Sequence, residues 1–131
     1  MRRLLVCLLL LALLAPVAAR AEPEHGLIRS GIDLPRTFPL VLRLPPAQSG
    51  HLTVTDPATG AVILTAYARA GTPLRVLLPP GDWSVRVATG AKWQDETRLF
   101  GPDTRTATFG PLRFDILGLN ARRGHVLTIH P

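Results

Sequence analysis

Cysteine is nearly absent from this 131-residue chain: the one it has, Cys7, lies within the first 21 residues. Those residues read as a leader, so the chain beyond them has no thiol for a disulfide, a thiolate metal site or a cysteine nucleophile. Lysine is equally scarce, since all but Lys92 of the 15 basic residues are arginine. Aromatic residues make up 5% of the chain, so a core must be built mainly from aliphatic side chains. No apolar run is long enough to cross a bilayer. The longest, Leu4 to Ala15, stops at Pro16 and falls short of the roughly 20 residues a spanning helix needs. Beyond it, no stretch sustains the i, i+3, i+4 apolar spacing of a helix with adequate caps.

What is present at the start is an export signal. Arg2 and Arg3 supply a positive n-region, Leu4 to Ala15 an apolar segment, and Ala19-Arg20-Ala21 the small residues a signal peptidase requires. The expected cut follows Ala21, with Val17-Ala18-Ala19 offering a weaker one. The pair Arg2-Arg3 followed by Leu5-Val6 faintly resembles a twin-arginine signal, but the short n-region favours the general secretory route. Cys7 lies inside the apolar run instead of after it, which argues against lipidation. The expected location is the periplasm or the medium, with no membrane span left after cleavage.

Without Arg2, Arg3 and Arg20, 12 basic residues face 9 acidic ones. That mild positive balance has no run or cluster and is no nucleic-acid footprint, although it could favour lipid head groups or acidic polysaccharide. Residues 22–131 suffice for one domain. Residues 22–36, interrupted by Pro23, Gly26, Gly31 and Pro35, read as a flexible arm, and residues 37–131 as the folded unit.

From Phe38 onward, period-two alternation recurs between turn signals. Expected strands are Phe38 to Leu44, His51 to Thr55, Ala61 to Arg69, Leu74 to Leu78, Trp83 to Ala88, Arg105 to Phe109, Leu112 to Leu117 and Gly124 to His130. Asp56-Pro57-Ala58-Thr59-Gly60 predicts a hairpin turn. Thr89 to Thr104 is irregular. The pattern predicts an all-β, antiparallel two-sheet sandwich, with Arg43, Arg75, Arg86 and Arg113 in water and Trp83, Val85 and Val87 inside.

The run from Leu78-Pro79-Pro80-Gly81-Asp82-Trp83 through Ala88-Thr89-Gly90, Trp93, Glu96 and Leu99-Phe100-Gly101-Pro102-Asp103-Thr104 resembles an uncharacterised bacterial exported domain. Its turn and strand are similar to those of PEGA-like or prealbumin-like sandwiches. The resemblance implies a β-sandwich and an envelope address. It implies no activity, cofactor or catalytic residue.

Trp93, Glu96, Phe100 and Asp103 form the most concentrated aromatic and acidic constellation. A sugar could stack on the indole while the carboxylates accept its hydroxyls. The plainer reading has Trp93 and Phe100 plugging the sandwich end, Glu96 accepting loop N–H bonds, and Gly101 to Thr104 forming a structural turn. Glu96 paired with Asp95 or Asp103 as glycosidase carboxylates is disfavoured by the small size of the domain. His25, His51, His125 and His130 have no chelating spacing. Ser30, Ser49 and Ser84 lack a nucleophile elbow. The expectation is a non-catalytic exported protein without a cofactor, working as an envelope accessory or protein-interaction module through a free sheet edge. The alternative is a small glycan-binding module using the Trp93 to Asp103 loop.

Overall fold

The computed structural model describes residues 21–117, 121–122 and 124–131; the expected leader, Met1 to Ala21, lies outside them as far as Arg20. The described chain is all-β apart from one short 3-10 turn. Its strands, in chain order, are β1 (Gly26–Ser30), β2 (Phe38–Arg43), β3 (Ser49–Thr55), β4 (Val62–Ala68), β5 (Leu74–Leu78), β6 (Gly81–Gly90), β7 (Arg105–Phe114), β8 (Ile116–Leu117), β9 (Ala121–Arg122) and β10 (His125–Thr128). Five strands form the larger sheet in the order β1-β4-β3-β6-β7. Three form the smaller, β10-β2-β5, while β8 and β9 pair with each other.

Alternation explains the two layers. On β2, Phe38, Leu40 and Leu42 point inward, and on β5 Leu74, Val76 and Leu78 do. The larger sheet answers with Leu52 and Val54 from β3, Leu64, Ala66 and Ala68 from β4, and Trp83, Val85 and Val87 from β6. With no crosslink available, burial of these side chains, each contributing about 1.5–3 kcal/mol for the large ones, closes the layers. Trp83 is the largest of the β6 anchors, and its indole N–H donates to Pro79 O at 2.9 Å, so its polar atom is satisfied inside the core. Arg43, Arg75, Arg86 and Arg113 are all exposed, as expected.

The Asp56 turn joins β3 to β4 as its sequence predicts. The Asp56 carboxylate accepts from Ala58 N–H at 2.8 Å, Gly60 N–H donates to Asp56 O at 2.7 Å, and Gly60 takes a φ of +75°, where glycine is favoured.

Three expectations are corrected. Residues 22–36 are not simply a flexible arm, because Gly26–Ser30 forms edge strand β1 on β4; Gly26 opens the strand and Gly31 follows it, so neither interrupts it. The sheets are not both antiparallel, since β10 runs parallel to β2, which lets the last strand close the smaller sheet's open side. The expected strands Arg105 to Phe109 and Leu112 to Leu117 are divided differently: Arg105–Phe114 is one strand, β7, that stays paired with β6 across a register shift between Trp83 and Val85, and Ile116–Leu117 is the separate β8.

The segment ahead of β1 is also held down. Tyr67 O–H donates to Glu22 Oε1 at 2.6 Å, and Ser49 O–H donates to the same oxygen at 3.3 Å. His25 accepts Arg69 N–H at Nδ1 (3.0 Å), with Nε2 3.1 Å from Pro73 O. The Nε2–H tautomer satisfies both contacts.

Candidate functional site

The larger sheet has a second face, and strand register sets what it displays. Residues directly opposite on neighbouring strands share a face. Arg29 faces Thr65, Thr65 faces Thr53, Thr53 faces Arg86 and Arg86 faces Thr108. One row of polar side chains therefore crosses all five strands. The next row along is Tyr67, His51, Ala88 and Thr106. On the other side, Thr55 faces Ser84 and Val62.

The connection between β6 and β7, residues 91–104, folds over the Tyr67 row. Trp93 stacks on His51 with ring centroids 5.7 Å apart, and meets Tyr67 (5.3 Å) and Phe100 (5.5 Å) edge to face. Together with Ala88, Ile28 and Leu99, the rings of Trp93, Tyr67 and Phe100 form a second, smaller apolar cluster. Trp93 and Phe100 thus roof the outer face of the larger sheet instead of plugging the sandwich end. Gly90 lets the roof close, since a Cβ there would overlap the Phe100 ring and its Cβ.

Asp95 organises the roof. Its Oδ1 accepts from Thr97 N–H (2.9 Å) and Arg98 N–H (2.7 Å), and its Oδ2 pairs with Arg98 Nε at 2.8 Å. The Arg98 backbone bond first, and then the guanidinium, hold the carboxyl below its ordinary value. The loop role expected of Glu96 therefore belongs to its neighbour, whose shorter side chain suits an Asx turn. Gly101–Asp103 is a 3-10 turn closed by Thr104, whose hydroxyl donates to Gly101 O at 2.7 Å and accepts Phe100 N–H at 3.0 Å.

The four residues singled out in the sequence separate into three places. Trp93 and Phe100 meet in the roof, where one indole face is covered by His51. Glu96 is exposed on the rim of a 320 Å³ cleft between the roof and the sheet, lined by His51, Thr53, Val62, Thr65 and Arg86. Asp103 lines a different cleft, with Gln48, Pro102 and Arg105. Glu96 and Asp103 are therefore not a facing carboxylate pair. Ala21, the expected cleavage position, is exposed next to the docked Glu22.

Electrostatics differ along this face. Burial holds the His51 imidazole below its ordinary value of 6.5; Glu96 opposes the shift and Arg86 adds to it. Tyr67 is fully buried, and burial followed by the Glu22 carboxylate pushes its phenol up from 10.0 to about 12. At the far end of the sandwich, His125 Nε2 lies against Arg113 O and its ring meets Phe114 edge to face at 4.7 Å, a packing role at a strand edge.

Sequence reading did not bring out the polar row. Its signal was the outward parity of Thr53 and Thr55, of Ser84 and Arg86, and of Thr106 and Thr108. Parity marks a face, but only register aligns one strand's outward residues with the next. Comparison of the chain with protein-family models, with curated proteins and with solved structures found no match.

Proposed function

We propose that this is an exported, non-catalytic binding protein of the bacterial envelope that docks a partner protein by strand addition at β7. The observation that carries this reading is the free side of that strand. β7 has ten residues and pairs with β6 alone among the described strands. From Arg105 to Phe109 its register with β6 is unbroken, and Thr106 and Thr108 are exposed. A strand of this kind presents a row of unpaired N–H and C=O groups to any extended segment that reaches it.

The other sheet edges are guarded. β1 has five residues and a register shift, β5 has five residues and β10 four. The C-terminal half of β7 is likewise engaged, because His125 bonds Arg113 O. The leader Met1 to Ala21 supports export, and the resemblance of the Leu78 to Thr104 run to exported sandwiches supports the envelope. Separation of Glu96 from Asp103 supports a role without paired-carboxylate chemistry.

A photo-reactive amino acid placed at Thr106 and, separately, at Ala58 in the β3–β4 turn tests this in producing cells. The expected result is one discrete protein adduct from position 106 and none from position 58. No adduct at 106, or the same adducts from both positions, contradicts strand addition.

A further inference from the structure

We propose that the outer face of the larger sheet binds an oligosaccharide that carries carboxylates, along a furrow running across the strands. This inference is independent of the β7 edge and goes beyond it. Three concavities make up the furrow. One, of 140 Å³, is lined by Arg29, Gly31, Val62, Leu64 and Thr65. The second is the 320 Å³ cleft beside the roof, and the third, of 400 Å³, contains Thr53, Thr55, Val62, Ser84, Arg86 and Thr108. Val62 lines all three, Thr65 the first two, and Thr53 and Arg86 the last two, so they are contiguous.

The chemistry of the lining selects the ligand class. Hydroxyls of Thr55, Thr65, Ser84 and Thr108 can both donate to and accept from sugar hydroxyls, with the largely buried Thr53 forming the floor between them. Val62 is an exposed apolar side chain in their midst, 52% accessible, where the C–H face of a sugar ring can rest. Arg29 and Arg86 stand in the same cross-strand row and are exposed, and neither forms an ion pair with a described residue. A guanidinium in that setting offers two parallel N–H bonds to a carboxylate.

Three strand spacings separate the main chains of Arg29 and Arg86, about 14 Å. That distance suits acids recurring along an oligomer better than two acids on one sugar. Glu96 shares one cleft with Arg86 and accepts hydroxyls there, while Arg86 also lines the neighbouring concavity and Arg29 the first one, neither of which includes Glu96, so the carboxylates are placed on those sides.

The test is a nuclear magnetic resonance titration of the isotope-labelled exported protein. The probes are oligogalacturonate, hyaluronan and oligomannuronate hexasaccharides, with maltohexaose, polyphosphate and phosphatidylglycerol vesicles for comparison. The expected result is saturable shifts at Thr53, Thr65, Arg86 and Thr108 with at least one acidic hexasaccharide, and weaker or no effect from the three comparison probes. Replacing one charged hydrogen-bonding partner weakens affinity about tenfold. R86Q and R29Q should each show that loss with unchanged urea midpoints, whereas R75Q, an equal loss of charge on the opposite sheet, should not. Absence of binding to all three acidic sugars overturns the proposal. So does equal binding to polyphosphate or vesicles, or an equal loss in R75Q, since each would reduce the effect to general positive charge.

Discussion

Single side chains on this protein carry separable physical consequences. Tyr67 is the chain's one tyrosine, so ultraviolet absorbance of its phenolate reports a single group. Native protein should titrate near pH 12, and Glu22→Gln should lower that midpoint by removing the charge and leaving only a neutral amide oxygen to accept the phenol. Because the folded value lies above the unfolded one of 10.0, the associated stability is intact below about pH 10 and is lost as pH rises toward 12. His51 works in the opposite sense. Its folded value is depressed, so stability is present above the unfolded value of 6.5 and declines as pH falls through the folded one. Imidazole resonances should show His51 titrating lower still in Glu96→Gln and higher in Arg86→Gln; a value indifferent to both variants would remove the charges from that cleft. Trp83→Ala should cost about 3–5 kcal/mol in urea unfolding, as expected for emptying a core aromatic site.

At the scale of elements, the roof is the testable unit. Gly90→Ala forces Phe100 off the sheet, so it should expose Trp93, red-shift its fluorescence and raise hydrogen exchange in the 91–104 segment. β3 and β4 should stay protected. Asp95→Ala should free the Thr97 and Arg98 amides without unfolding the sandwich, because its bonds are confined to the loop. Unchanged exchange at those two amides would show that Asp95 does not hold the loop. The limits of sequence reading also lie at this scale. Leu74–Leu78 was delimited by its alternation and by Pro73 and Pro79, and β2 to within a residue, because the turns that bound them are written in proline and glycine. Strand β1 was missed because four residues between two glycines carry too little apolar signal to outweigh the breakers; pairing with β4 supplies what periodicity could not. Glu96 and Asp95 exchanged roles because adjacent acids in a loop look alike until the backbone shows which one faces the N–H groups.

For the whole molecule, the two-layer plan was legible and its wiring was not. Inward residues of β2, β5 and β6 could be named from parity alone, and they are the core. The parallel seating of β10 on β2 and the order β1-β4-β3-β6-β7 are long-range choices, settled by which faces must be covered and unmarked by any local residue. The row from Arg29 to Thr108 depends on that order, as does the free side of β7. Cross-strand nuclear Overhauser effects in the purified protein test it most directly. The account predicts contacts linking Arg29 to Thr65, Thr65 to Thr53, Thr53 to Arg86 and Arg86 to Thr108, with none from Thr108 to a further strand. A different neighbour for any of these residues, or a strand already seated on the far side of β7, would contradict it.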